Sequence, residues 1–377
     1  MRHEDYTVGW ISALPTEAAA AVGMLDERHS TLPSRPQDNN NYTFGRVGVH
    51  NVVIACLPSG VTGTISAAKV ATQMLSTFTG LRFGLMVGIG GGIPSEEHDI
   101  RLGDVVVSKP TGTFGGVIQY DFGKTIQEGK FIRTGSLNKP PDVLLTALAN
   151  IEAKHMMEGH ELEKYLSEMV KKYPMMGNKF THPGIQHDFL YEAVFDHPQG
   201  LATCSQCDVS KLRTRKTRSS EDPVVHYGLI ASGDQVMRHG VTRDRLGQEL
   251  DVLCFEMEAA GLMDSFPCLV IRGICDYADS HKNKHWQPYA AATAAAYAKE
   301  LLNIIPGNQV TNTPTAVEVT RENETNSRDM PKSQNLPRQQ NVEQYQQINH
   351  FSGTFNTSGG KAFYGGSFNS GGGPMNF

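Results

Sequence analysis

The chain predicts an α/β fold, a sheet with helices on both faces. From residue 6 to about 305, short β-branched runs alternate with Ala-rich stretches, as strands and their connecting helices do. Hydrophobic residues make up 39% of the 377, enough to bury a sizeable core. Past Pro306 the composition turns to Asn, Gln, Thr, Glu and Pro, with too little apolar surface to offset the entropy of ordering. The folded domain is therefore expected to span 1–305.

The elements follow in order. Residues 8–14 read as a strand entering an Ala-rich helix that runs to Leu25, and 52–57 as a second strand followed by a helix over 65–75. Further strands are expected at 83–87, 104–108, 226–231 and 268–274, with a closing helix over 289–304. An insertion from about 140 to 223 carries one amphipathic helix, with Leu162, Tyr165, Met169 and Val170 at helical spacing. Its remainder, rich in His, Pro, Gly and Lys, reads as a lid or surface elaboration. Residues 306–350 form a polar linker. The tail, 351–377, repeats a Gly/Phe/Asn/Ser pattern at 353–360 and 366–372, and reads either as a floppy segment or as a β-prone element that pairs between chains or recruits a partner.

Charge and composition exclude several roles. A formal net charge of −5 without a long basic block leaves no surface for a nucleic-acid backbone, and the short basic stretch at 211–218 reads as a solvated loop. No apolar run is long enough for a membrane span, and residues 1–6 are charged where a signal peptide turns apolar, so a soluble cytoplasmic protein is expected. Six scattered cysteines read as reduced thiols. Cys204 and Cys207 have a metal-ligand spacing, with His187, His197 and His226 nearby, but no second Cys pair follows; a plain loop and no metal site are expected.

The chemistry concentrates in carboxylates beside strand ends. Asp276 closes the mostly apolar run 268–275, where partial burial favours a protonated acid; read alone it also fits a helix N-cap. Glu258, beside Met257, stands where a carboxylate could accept hydrogen bonds from two ribose hydroxyls while Met257 packs on sugar or base. Glu17 sits at a strand-to-helix junction, placed to orient a water. Each Glu equally fits an ordinary first-turn position on a helix. The glycines Gly88, Gly90 and Gly91 follow an apolar run but lack the Lys-Ser/Thr of a phosphate loop; close backbone approach to a sugar or water is the simpler use. Breaking an N-glycosidic bond needs these parts: an acid for the departing base, a hold on ribose and a positioned nucleophile.

Together the segments resemble the purine nucleoside phosphorylase and methylthioadenosine/S-adenosylhomocysteine nucleosidase superfamily, in its nucleosidase-like branch. The matching pieces occur in family order: residues 9–17 with Glu17, Ser59-Gly60, the glycine cluster, 102–108, 232–237, 256–258 and Cys275-Asp276. The resemblance implies a central mixed sheet, a homodimer or larger assembly, base binding by Gln235, Val236 and Met237, ribose binding by Glu258 and Met257, and catalysis by Asp276 with Glu17. It also implies that no metal or organic cofactor is needed, Mg²⁺ entering only with a triphosphate.

Phosphorylases of this group carry a Gly-Asp-Pro-x-Arg loop after the first strand, because a phosphate dianion needs guanidinium donors. Here that loop reads Ala13-Leu14-Pro15-Thr16-Glu17, so water is the better nucleophile. After its catalytic Asp a methylthioadenosine nucleosidase keeps an apolar loop, whereas this chain has His281, Lys282 and Lys284; Lys124 adds a further cation on a segment that approaches the neighbouring subunit in the family. These four are candidate phosphate-binding residues for an anionic purine nucleotide.

Within the superfamily the chain most resembles phosphorylase-like modules of fungal NOD-like receptor proteins, whose relatives include ATP nucleosidases. The implied activity is hydrolysis of ATP to adenine and ribose 5′-triphosphate in an immune or cell-death setting. Two rivals stand beside it: a hydrolase or phosphorylase of uncharged nucleosides or methylthioadenosine, and a catalytically silent nucleotide sensor.

Overall fold

The computed structural model describes residues 1–200 and 203–329, so the end of the linker and the tail 351–377 lie outside the described residues. In chain order the strands are β1 (Val8–Ser12), β2 (Glu27–Arg28), β3 (Tyr42–Val47), β4 (His50–Cys56), β5 (Phe83–Gly92), β6 (Val105–Ser108), β7 (Val117–Gln119), β8 (Gly123–Thr125), β9 (Phe131–Arg133), β10 (Val225–Ser232), β11 (Val252–Glu256) and β12 (Cys268–Asp276). The helices are α1 (Pro15–Met24), α2 (Thr64–Thr77), α3 (Asp142–Glu158), α4 (Leu162–Lys172), α5 (Gly240–Leu250), α6 (Gln287–Ile304), α7 (Gly307–Asn312) and α8 (Ala316–Asp329).

Ten strands form one mixed sheet in the order β11-β10-β6-β12-β5-β1-β4-β3-β2, with β7 beside β10. The central pairs β12–β5, β5–β1 and β1–β4 are parallel, whereas β6 meets β12 antiparallel. The far end of β5 also pairs antiparallel with β11, Phe255 opposite Gly91, which curls the sheet back on itself. Every residue of β1 and β12 is buried, as expected of strands covered on both faces. Helix α6 packs along β12 and β5, where its run of alanines allows close approach.

The sheet and its flanking helices match the α/β expectation, and the structure corrects three local readings. Two helices, not one, occupy the start of the insertion. Leu144, Leu148 and Ile151 of α3 join Leu162, Leu166 and Met169 of α4 in the main core, so this part is a wall of the domain. Part of the basic stretch is tied down: Arg218 makes a two-pronged contact with buried Asp104 at 2.7 Å, and Arg215 Nη2 lies 2.8 Å from Asp188. Finally, the polar linker does not begin at 306. Val310 of α7 and Ala316 of α8 are buried in the main core, and the Ala316 N–H donates to the Leu81 carbonyl at 2.7 Å, so a few apolar contacts order a mainly polar segment.

Candidate active site

The C-terminal ends of β5 and β12 and the end of β11 converge on one cleft, where ligands of parallel sheets bind. Its wall is formed by Glu17, Gly90, Gly91, Gln235, Val236, Met237, Phe255, Glu256, Met257, Glu258, Cys275 and Lys282 among others. Residues from four distant parts of the sequence thus meet at one place.

Glu17 stands in the first turn of α1 and is 3% exposed. Its Oε2 accepts hydrogen bonds from the Ala13 and Leu14 N–H groups at 2.7 and 2.9 Å, and its Oε1 accepts the Ile89 N–H at 2.9 Å. Burial raises its proton affinity, against the opposing pull of Arg272 and these three donors. The carboxylate is therefore fixed in direction and more basic than a surface Glu.

Glu258 is also buried, not a surface first-turn residue. Burial first, and the neighbouring Glu256 and Glu17 charges second, push it up to about 7, although Arg272 opposes the shift. Folded Glu258 then keeps its proton between its ordinary 4.5 and about 7, where the unfolded chain has lost it. The folded state binds more protons over that window, so this group makes stability fall as pH rises through it. Glu258→Gln is expected to flatten that fall, which urea midpoints measured at pH 5 and pH 8 for both proteins will check.

Asp276 ends β12 just behind the wall, between the lining residues Cys275 and Ala278. Its Oδ1 accepts the Ala278 N–H at 2.9 Å, and its Oδ2 lies 2.9 Å from Lys282 Nζ. Ala278 has φ = 51°, a left-handed conformation that a non-glycine residue seldom adopts. The turn is stabilised by that Asp276 bond, and Gly91 makes room for it: a Cβ there would sit 2.8 Å from Asp276 Oδ1 and 2.9 Å from Ala278 Cβ.

The glycine cluster is therefore the end of strand β5, not a loop, and much of its space is taken by protein atoms. At Gly88 a Cβ would meet Arg272 Nη1 at 2.5 Å and Glu17 Oε1 at 2.6 Å. Gly90 and Gly91 still line the cleft, so the expected close backbone approach applies to those two.

The segment 235–237 lines the opposite side. Tyr120 donates its hydroxyl to the Gln235 carbonyl at 3.0 Å and meets the Phe255 ring edge-on at 5.4 Å. Asp234 accepts from the Thr64 N–H at 2.9 Å, and its own N–H donates to Asp121 at 2.8 Å, which ties this loop to the start of α2. Phe255 is the aromatic on the wall among the described residues.

The four proposed cations fare differently. Lys282 reaches the cleft but is paired with Asp276. His281 faces the other way, stacked on Tyr191 at 4.0 Å and buried, so it is no phosphate ligand. Lys284 and Lys124 are exposed and absent from the lining. Sequence reasoning gave no role to Arg272 and quoted Glu256 only as part of the segment 256–258. Arg272, fully buried, contacts Glu256 through Nη2 and lies 3.5 Å from Glu258. Glu256 accepts the N–H groups of Glu258 and Ala259. An arginine inside an otherwise apolar buried strand was the available signal, since a buried guanidinium requires acidic partners.

No family model matches the chain. A nucleotide-binding leucine-rich repeat (NLR)-like protein of Hyaloscypha variabilis is 50% identical over 303 residues, 80% of this chain and 30% of that protein. A 5′-methylthioadenosine/S-adenosylhomocysteine nucleosidase of Mycobacterium bovis is 26% identical over 311 residues, covering 80% of this chain and 97% of the relative. The ATP nucleosidase Cap17 of Escherichia coli is 25% identical over 307 residues, 78% and 50% of the two chains. Among solved structures, futalosine hydrolase of Helicobacter pylori superposes with a TM-score of 0.51 at 17% identity, over 80% of this chain and 99% of that one. Over its folded part the chain is thus similar to nucleosidases of the purine nucleoside phosphorylase and methylthioadenosine nucleosidase superfamily. It spans under a third of the NLR-like relative and half of the ATP nucleosidase, but nearly all of the mycobacterial nucleosidase. The fold shared with the futalosine hydrolase accounts for the mixed sheet and for strand ends gathered at one cleft.

Proposed function

We propose that the chain is a purine N-ribosyl hydrolase acting on adenine nucleotides, with ATP favoured, releasing adenine and ribose 5′-triphosphate. The observation that carries this reading is the gathering of Glu17, Glu258 and the Asp276–Lys282 pair around one cleft. Asp276 hands a proton to a purine ring nitrogen as the base leaves, Glu258 accepts hydrogen bonds from ribose hydroxyls, and Glu17 takes a proton from the attacking water. Met257 packs on the sugar, and the base lies between Phe255 and the backbone of Gln235 to Met237. Carboxylates supply acid, base and ribose clamp, so bond cleavage needs no cofactor; Mg²⁺ enters only as the companion of a triphosphate. The likeness to a protein named as a methylthioadenosine nucleosidase supports N-glycosyl hydrolysis, and the likeness to Cap17 supports ATP. The NLR-like relative supports an immune or cell-death setting.

Water is favoured over phosphate because Lys282 is the only Lys or Arg side chain on the wall among the described residues, Arg272 being buried against Glu256. Lys282 also bears on substrate charge. A 5′-triphosphate entering the cleft would draw its ammonium from Asp276 and free that carboxyl to act on the base; an uncharged nucleoside offers no such pull. Lys282→Met is therefore expected to raise the Michaelis constant for ATP about tenfold or more while sparing adenosine, a split of roughly 1.4 kcal/mol or more. Equal losses on both would make Lys282 a positioning partner of Asp276 only.

Purified protein incubated with ATP, adenosine or methylthioadenosine, with and without inorganic phosphate, tests the whole reading. Adenine should appear from ATP at a rate independent of phosphate. Cleavage of the uncharged nucleosides alone would remove the ATP assignment, and no adenine from any of them would favour a binding module. A homodimer or larger assembly is part of the proposal. The β8–β9 hairpin and its approach leave Phe122, Phe131 and Ile132 exposed, an apolar surface of the kind that mates with a second copy, and Lys124 stands on the same hairpin.

A further inference from the structure

We propose that His197, Cys204 and Cys207 form a structural zinc site whose fourth ligand is His281. One ligand atom from each of the first three lies within 4.8 Å of the others. Around a tetrahedral Zn²⁺ with Zn–S near 2.3 Å, ligand atoms sit about 3.5–4 Å apart, so closing these three around the ion needs shifts of about an ångström, and His281 must turn its ring to join them. The two thiols are free, and thiolate with imidazole is a donor set that suits zinc and not the hard cations.

The histidines supply the independent observation. Zinc-binding histidines commonly offer one ring nitrogen to the metal and the other to a carbonyl or carboxylate. His197 Nδ1 lies 3.1 Å from the Pro198 carbonyl, which leaves Nε2 for a metal. His281 has a side chain 4% exposed, with both ring nitrogens lacking a hydrogen-bond partner among the described residues. Its Nδ1 lies 3.6 Å from Asp279, its ring centroid is 5.5 Å from that of His197, and the Cys204 thiol points at its carbonyl at 3.8 Å. A buried imidazole without partners is costly unless something unseen satisfies it. The other two histidines near the pair in sequence are elsewhere: His226 bonds Asp104 and His187 packs on His285.

The site would join the insertion to the turn that follows Asp276. His197, Cys204 and Cys207 come from the insertion, and His281 adjoins Lys282. The two segments already touch, since the His197 N–H donates to Ser280 Oγ at 2.9 Å. A metal there would fix the loop that carries the cleft's cation without entering the reaction.

The test reads metal, not activity, so it is independent of the nucleosidase reading. The 377-residue chain made in zinc-supplemented medium and dialysed against a weak chelator is expected to retain about one zinc per chain, and the Cys204→Ser/Cys207→Ser chain about none. Because the double variant could unfold, wild-type protein stripped by a strong chelator is also titrated with Zn²⁺ and Co²⁺. One equivalent of each should bind, cobalt with a thiolate charge-transfer band, and His281→Ala should weaken Zn²⁺ binding at least about tenfold. Failure of the stripped protein to take up either ion, unchanged zinc in the double variant, or a Cys204–Cys207 disulfide trapped in fresh lysate would overturn the site. Unaltered Zn²⁺ affinity in His281→Ala would overturn the fourth ligand.

Discussion

Asp276→Asn is expected to lower adenine release by about 10²- to 10⁴-fold, the usual worth of a positioned general acid. In the proposed reaction Asp276 supplies the proton, and part of its structural role survives in the variant. Asn retains an oxygen to accept the Ala278 N–H, so the left-handed turn at Ala278 keeps its support. What Asn cannot do is carry a transferable proton or pair with Lys282. The Asp276 side chain is 3% exposed and that of Lys282 29%, so the variant leaves a largely enclosed ammonium without its partner and a lower melting temperature is expected. Single-turnover adenine release, read beside a thermal melt, separates the two effects. A folded variant that turns over at the wild-type rate would show that the base leaves without Asp276.

Much of the fold was legible because its strands announce themselves. The runs that became β1, β4, β6 and β12 are β-branched and nearly continuous, as strands buried on both faces must be. Less legible were the places where polarity hides a tertiary contact. Helix α3 escaped notice because its four buried residues share a face with a weak pattern, and α7 and α8 because Val310 and Ala316 are few among many polar neighbours. At the site, Glu17, Glu258 and Met257 lie on the cleft, and 235–237 lines it. Partnering was not readable. Whether Lys282 pointed at a phosphate or at Asp276, and whether His281 faced the cleft or Tyr191, depends on how a turn after a strand folds back, and local sequence does not encode that.

Arg272→Met is expected to have the largest effect on stability. The guanidinium is fully buried beneath the cleft, with Glu256 against it, Glu258 at 3.5 Å and Glu17 beside it under Gly88. Three buried carboxylates are balanced by this one cation. Removing one partner of a buried pair leaves charge that neither water nor protein compensates, at a cost of about 3–5 kcal/mol. The same physics sets the pH dependence. Carboxylates without their cation take up protons more readily, which relieves the repulsion, so the deficit should be smaller at pH 5 than at pH 8. Adding Glu256→Gln to Arg272→Met should recover part of the loss at pH 8, because one unpaired charge is gone, and the four proteins form a double-mutant cycle with a coupling energy of about 0.5–3 kcal/mol. Urea unfolding of the four proteins at both pH values measures all of this. If Arg272→Met unfolds at the wild-type midpoint at pH 8, the carboxylates are protonated in the wild-type protein, and Glu17 could not then serve as the base that activates water.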